Sequence, residues 1–263
     1  MTNPESIIDA RPAPARAPIH LTRGPAGPEF WLVTRYHEAR AALDDQRLRP
    51  LTDPPAPVDP PPDAHAEEIV AHLLDGLAAR GRGDLVPDVA VPLAHELITT
   101  PPRPVIDVVG TAMITLFRHP AQTAALRARP TLLPAAVEEL IRFDGPVPRT
   151  APAVAVEELT IGGKVISAGD HVVVSLAAAN RDPRRFPDPD RLDLMRADDG
   201  HLGLGYGRRL SPVAAHVRLA ARVAIGGLLT RFPGLRLAIL PEDLAWLPQP
   251  EVRGVSSLPV TTG

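Results

Sequence analysis

The sequence predicts a mixed α+β fold, mainly helical with small β-sheets, on three observations. Apolar residues recur at helical spacing through much of the stretch from Tyr36 to Phe143. After Asp144-Gly145 the pattern changes to short β-prone runs split by glycine turns, and one long helical stretch returns between Pro212 and Phe232. A length of 263 residues suits one large domain or two small ones and is enough to bury a core.

Residues 1–25 are rich in Pro, Ala and Arg and read as a flexible N-terminal segment ahead of a single domain over 26–263. Phe30–Thr34 is a short apolar run with strand character, and Tyr36 to Leu48 reads as a helix with Ala39, Ala42 and Leu43 on one face. Residues 53–62, DPPAPVDPPP, contain six prolines. Locked φ angles and missing N–H donors exclude a helix or a central strand there, leaving an extended linker. Helical spacing resumes from His65 to Ala79 through Ile69, Val70, Leu73, Leu74 and Leu77, then again around Val91, Leu93 and Leu97. Val105–Arg118 is apolar enough for a buried helix, closed by His119-Pro120. A short helix over Gln122–Arg127 follows, then another that starts near Pro134, a favoured first-turn residue, and runs through Val137, Leu140 and Ile141. Val154–Leu159, Gly162–Ile166 and His171–Ser175 are strand candidates, and Arg181–Arg191 is turn-rich. Gly203–Gly207 leads into the long helix; Leu235–Leu240 and the Val-containing tail are further strand candidates.

Composition removes several classes of function. With 28 Lys plus Arg against 31 Asp plus Glu, the formal charge is -3, so the chain has no general attraction for nucleic acid or anionic lipid. No apolar run reaches the length of a membrane span, and the first residues lack the basic-then-apolar pattern of a signal peptide, so a cytoplasmic protein is expected. The absence of cysteine excludes disulfides, Cys-based zinc and iron–sulfur sites, a cysteine nucleophile and a thiolate-ligated haem.

Among candidate sites, Glu139 and Arg142 stand at i and i+3 on one helix face. Spacing alone leaves two readings open: a surface pair worth a few tenths of a kcal/mol, or a buried bidentate pair that locks the helix to an irregular segment carrying another arginine. Arg191, in PDPDRLDL, is positioned to supply that arginine. His65, Glu68 and His72 share a helix face, a spacing that permits a metal site but more often marks a solvated surface. His119 reads as a helix-end residue, and His95 and His216 as packed core histidines rather than acid–base groups. Asp53 and Asp59 solvate the proline-rich connection; catalytic carboxylates are the less favoured alternative. Ser211 lacks the strand–Ser–helix elbow of a nucleophile and reads as a helix-capping residue before Pro212. Gly203, Gly205 and Gly207 lack the strand and acidic partner of a dinucleotide fingerprint.

Several ordered blocks together resemble a bacterial cytochrome P450. FWLVTRYHEARAALDDQRL is similar to the first strand pair and following helix, and HAEEIVAHLLDGLAARGRGDLVPDVAVPLAHELI to a later helix–connection–helix segment. TAMITLFRHPAQTAALRARPTLLPAAVEELIRFDGP resembles the distal half of the central helix, the next helix and the ExxR helix. AANRDPRRFPDPDRLDLMR resembles the meander, and HLGLGYGRRLSPVAAHVRLAARVAI the haem loop and the helix behind it. The resemblance implies a reduced P450-like fold in which Glu139, Arg142 and Arg191 form the ExxR network. It also implies that the lid helices, the front of the central helix with its oxygen-activating acid–alcohol pair, and the segment replaced by the proline-rich linker have no counterpart.

The resemblance makes the haem loop degenerate. Ser211 stands where the thiolate cysteine belongs, Leu204 replaces the usual Phe, Val213 replaces a small Gly, and Gly205, Gly207 and the propionate-binding Arg209 are kept. A serine hydroxyl lacks the electron donation that oxygen cleavage requires. Monooxygenase chemistry, a bound cofactor and a metal are therefore not expected. Some P450 homologues without the cysteine accompany deoxysugar glycosyltransferases and stabilise their active conformations. The resemblance thus implies a haem-free auxiliary protein of bacterial natural-product biosynthesis that binds a pathway enzyme or a second copy of itself. The alternative is a cofactor-independent cyclase, isomerase or dehydratase acting on a hydrophobic polyketide or terpenoid intermediate, which would need an enclosed pocket with converging polar groups.

Overall fold

The structure is a computed structural model and describes residues 17–23, 29–52, 55–99, 102–196 and 200–263. The described residues divide into two compact units. One comprises those up to Ala56 with Val147–Arg191 and Gly200–Pro212; the other comprises Pro57–Pro146, the described part of Leu192–Asp199, and Val213–Gly263.

The first unit is built on a five-stranded sheet: β1 (Ile19–Arg23), β2 (Glu29–Val33), β3 (Leu48–Pro50), β5 (Ala153–Ala155) and β8 (His171–Val174), in the order β1-β2-β8-β5-β3. β2 and β8 run parallel, pairing Trp31 with Val172 and Val33 with Val174, and the other pairs are antiparallel. Helix α1 (Tyr36–Asp44) lays Ala39, Ala42 and Leu43, the face expected from spacing, into a core with Val33, Ala153, Val172, Val174 and Leu202. That helix stops at Asp44, short of the expected Leu48, because Arg47 folds back on Asp45. The Arg47 amide, Nε and Nη2 donate to the Asp45 carboxylate at 2.7–3.0 Å, and Leu48 passes into β3.

Two further expectations for this unit change. Ile19–Arg23, read as part of a loose terminal segment, is an edge strand paired along its whole length with β2, with Ile19 buried; the local composition hid that pairing. The rest of the 1–25 segment lies outside the described residues apart from Ala17 and Pro18. The run Val154–Leu159 is not one strand: a bend separates β5 from β6 (Leu159–Ile161), which forms its own hairpin with β7 (Lys164–Ile166) across Gly162-Gly163. The short helix α7 (Leu176–Ala179) leaves β8 through Ser175, whose hydroxyl accepts the Ala178 amide and caps the first turn.

The second unit is helical: α2 (Asp63–Arg80), a π-turn at Val86–Ala90 running into α3 (Val91–Leu97), α4 (Arg103–Arg118), α5 (Pro120–Ala128), α6 (Leu133–Asp144) and α8 (Ala214–Arg231). α4 is its centre; the unbroken run Val105–Leu116 is buried, and the helix packs on α3, α5, α6 and α8. A small sheet of β4 (Arg82–Asp84), β9 (Arg236–Leu237) and β10 (Pro259–Thr261) closes one side in the order β4-β10-β9. Arginines of α8 reach acids on two neighbours: Arg218 to Glu138, Arg222 to Asp63 and Arg231 to Asp75, at 2.6–2.8 Å. These pairs are largely exposed, each worth at most about 1 kcal/mol. Apolar burial therefore carries the packing. The end of α6 is held more firmly, by Arg253 donating through Nε and Nη2 to the buried Asp144.

Two buried titratable groups oppose each other. Asp107, deep in α4, pairs with Arg103 one turn earlier, yet desolvation outweighs that attraction and pushes its pKa up to about 6. His216, in the first turns of α8, is fully buried, and neither ring nitrogen has a hydrogen-bond partner among the described residues. Desolvation holds its pKa below the usual histidine value, partly countered by Asp59. The two groups have opposite linkage. A raised carboxyl contributes stability that is present below pH 3.8 and lost as pH rises through about 6. A depressed imidazole contributes stability present above pH 6.5 and lost as pH falls toward its folded value.

Asp107→Asn is expected to flatten the decline in urea-unfolding free energy between about pH 4 and 7, a loss on the order of 3 kcal/mol for a shift of this size. His216→Leu is expected to raise the unfolding midpoint by removing an unsatisfied polar ring worth about 1–3 kcal/mol. Its advantage over the unsubstituted chain, followed by thermal melts, should grow as pH is lowered below 6.5.

Candidate functional site

α6 begins with Pro134 in its first turn and turns Ala136, Val137, Leu140 and Ile141 inward. The same spacing that buries those residues carries Glu139 and Arg142 inward as well. Arg142 Nε donates to Glu139 Oε2 at 2.6 Å and Nη2 to Oε1 at 2.9 Å, with both side chains only 1–2% exposed. Of the two readings left open by spacing, the structure shows the buried bidentate pair. Glu139 Oε1 also accepts the Asp193 amide at 3.0 Å, and Arg196 Nε reaches Oε2 at 3.2 Å. One carboxylate thus anchors the irregular segment around Asp193 to α6 with two guanidinium partners and a backbone N–H.

Sequence reasoning did not name Arg196. Its signal was its place beyond the PDPDR run, three residues after the Asp193 whose amide binds the same carboxylate. Arg191, expected as the third member, lies in the first unit, exposed, with its amide bonded to the Asp188 carbonyl at 3.0 Å.

The second group of candidates lies in the loop from His201 to Pro212, within the first unit. Leu202 and Leu204 are buried and root the loop in the core, and the Leu202 amide donates to Asn180 Oδ1 at 2.7 Å. Gly205 has φ +84° and turns so tightly that a Cβ there would fall 2.1 Å from the Arg209 carbonyl oxygen. The Ser211 amide closes the bend by donating to the Leu204 carbonyl at 2.8 Å. Gly207, at φ +53°, lies against Asp44 at the end of α1, which accepts the Arg208 amide at 3.1 Å; a Cβ would strike that carboxylate. Arg209 donates through Nη2 to the Ala151 carbonyl, while its Nη1 is buried without a partner among the described residues. Burial pulls its pKa below the usual arginine value. Ser211 is half-buried and does not cap the long helix: α8 starts at Ala214, and Val213, at its N-cap, makes no side-chain cap bond.

The remaining candidates are dispersed. His65, Glu68 and His72 are all exposed on α2, and no cluster of three metal-ligating side chains occurs among the described residues. His95 is exposed in the last turn of α3, which corrects its expected core placement, whereas His216 is a core histidine. His119 closes α4, with Nδ1 2.8 Å from the Thr115 carbonyl and its ring edge-on to Phe143. Asp59 is exposed, and Asp53 lies outside the described residues. A hollow of about 570 Å³ that the sequence did not suggest is lined by Asp44, Asp45, Gln46, Arg47, Glu157 and Arg208. It is open and charged, so it cannot exclude water from a reaction in the way an enclosed site does.

A buried Glu–Arg pair tied to an irregular segment, and a twice-bent glycine loop ahead of a long helix, on a scaffold of helices with small sheets, define a P450-like fold. The cytochrome P450 family model matches residues 115–204. Cytochrome P450 monooxygenase PikC of Streptomyces venezuelae is 44% identical over 168 residues, covering 64% of this chain and 40% of that protein. The first curated relatives are thus matched over about two fifths of their length. The structure of the tirandamycin C-bound P450 monooxygenase TamI superposes with a TM-score of 0.86 at 25% identity, covering 99% of each chain. P450BioI in complex with a fatty-acid-ligated acyl carrier protein superposes at 0.84 and 24% identity, also covering 99% of each chain. No helix among the described residues is long and apolar enough to cross a membrane.

The haem that this fold implies can be tested against the donor set. Arg209 offers a buried N–H suited to a carboxylate, but the loop presents Ser211 where the resemblance puts the iron-binding thiolate, and no residue of the chain is cysteine. The residues do not fit a thiolate-ligated haem. Glu139→Ala is expected to lower the urea-unfolding free energy by about 3–5 kcal/mol by removing the buried carboxylate that meets Arg142, Arg196 and the Asp193 amide. The double change Glu139→Leu/Arg142→Met should lose less than the sum of the two single truncations to Ala.

Proposed function

We propose that this chain is a haem-free, P450-like auxiliary protein of bacterial natural-product biosynthesis, which binds a pathway enzyme such as a glycosyltransferase and holds it in its active conformation. Ser211 carries the reading. The loop around it keeps its bends and its arginine, yet its side chain at the ligand position is an alcohol that stays protonated at neutral pH and donates little electron density to iron. The support in the relatives is that PikC is named a P450 monooxygenase and that a Bacillus subtilis relative is named for polyketide biosynthesis. The acyl carrier protein complex of P450BioI supports the idea that such a fold can dock a protein.

The chemistry of an auxiliary role is binding alone. A chain that binds only the active state of an enzyme stabilises that state by RT ln(1 + [L]/Kd), about 2.7 kcal/mol when the free chain is at a hundred times Kd. That requires a rigid scaffold and a matching surface, and no reacting group. The buried Glu139 network and the apolar α4 provide rigidity that does not depend on an axial ligand.

The test is purification of the chain alone and together with the biosynthetic enzymes encoded beside it, with absorbance spectra, native mass measurement and assay of each enzyme. The expected outcome is no Soret band, a stoichiometric complex with one enzyme, and at least a tenfold rise in that enzyme's turnover. A fully haem-loaded chain with reductant-dependent substrate oxidation would overturn the proposal, as would the absence of any complex.

A further inference from the structure

The irregular segment that Glu139 anchors carries one reactive group that the buried network does not use, the thioether of Met195. Three successive amides of this segment each meet a different side chain. Asp193 donates to Glu139 Oε1 at 3.0 Å, Leu194 to Gln122 Oε1 at 3.2 Å and Met195 to Asp193 Oδ1 at 3.1 Å. The segment is thus tied to α6 through Glu139 and to α5 through Gln122. Met195 makes a further link to the end of α5: its side chain is 56% exposed, and its sulfur lies 3.5 Å from Arg129 Nη2. Arg129 caps the C-terminus of α5 and is itself exposed. A thioether is a weak acceptor, so this link holds the segment only loosely.

Exposure decides which methionine an oxidant reaches. Met113 is fully buried in α4, and Met1 lies outside the described residues. We propose that Met195 is a reversible oxidation site, at which hydrogen peroxide converts the thioether to a sulfoxide whose oxygen accepts from Arg129 and tightens the Asp193–Met195 stretch on α5. A sulfur lone pair attacks one peroxide oxygen, the O–O bond breaks and an S–O bond forms. Sulfur loses two electrons, and the other peroxide oxygen leaves as water. Sulfoxide formation in a core is disruptive because it makes an apolar group polar; Met195 stands in water before and after, so that cost does not arise. What changes is the acceptor. The sulfoxide oxygen carries a partial negative charge, and a hydrogen bond from a charged guanidinium to it is a strong one. A methionine sulfoxide reductase, with thiols as the two-electron donor, removes the oxygen as water and restores the weak contact. The site stands apart from the auxiliary role, since it needs neither a partner enzyme nor the glycine loop.

The test treats the full chain with hydrogen peroxide and follows each methionine by peptide mass mapping. The Met195 peptide is expected to gain one oxygen at least tenfold faster than the Met113 peptide, and a methionine sulfoxide reductase should remove it. Amide hydrogen exchange, read by NMR, should be at least threefold slower at Asp193, Leu194 and Met195 in the oxidised chain than in the reduced one. Arg129→Ala, checked for folding by circular dichroism, should still be oxidised at Met195 but lose that slowing, and Met195→Leu should show no response to peroxide at these amides. Oxidation of Met195 no faster than Met113 would overturn the proposal. So would unchanged or faster exchange in the oxidised chain, or slowing that survives Arg129→Ala. None of these results bears on the Ser211 argument.

Discussion

The second unit depends on a charge that cannot be left alone. Glu139 is almost fully removed from water, and an isolated carboxylate in that position would be costly by several kcal/mol. It is tolerated because Arg142 meets it with two parallel hydrogen bonds, Arg196 with a third contact and the Asp193 amide with a fourth. Each partner comes with its own stretch of backbone, so satisfying the charge also fixes where the segment around Asp193 lies on α6. A network of this sort has no use for iron. Its hydrogen bonds run between protein groups alone.

The glycine loop of the first unit shows the same separation of shape from chemistry. Its bend is set by the positive φ of Gly205, by the Ser211 amide on the Leu204 carbonyl and by the seat of Gly207 against Asp44. None of these involves the side chain of residue 211. Cysteine and serine differ by one atom, and the backbone hydrogen bonds that hold the turn are blind to the difference. A loop with the contour of a haem site is therefore weak evidence of haem, and the identity of the one side chain at its end is strong evidence about ligation.

How far the sequence could be read follows from how local each determinant is. α4, α6 and α8 were legible because a buried helix repeats its apolar signal over several turns, and the Glu139–Arg142 spacing sits inside such a repeat. Burial of that pair was not legible from spacing, since i and i+3 neighbours look alike on either face. Arg196 was missed because its role is set by a tertiary approach rather than by any repeat. β1 was hidden for a similar reason: IHLTR acquires strand character from pairing with β2, while the prolines before it suggested a loose end. His95 and His216 show the limit most clearly. Both sit on helices near apolar residues, yet one is exposed and the other is buried with no hydrogen-bond partner among the described residues, a difference made by packing partners distant in sequence.

The contacts that hold this fold are separate from the one side chain that would ligate a haem iron. The two roles fall to different atoms: backbone amides, carboxylates and guanidinium groups hold the structure, whereas a single sulfur would hold the metal. His216, in the helix that follows the loop, is buried with neither ring nitrogen hydrogen-bonded among the described residues. Its cost of about 1–3 kcal/mol is a substantial part of the margin on which a domain of this size stands folded. Binding of a partner to the folded chain offsets a cost of that order by mass action.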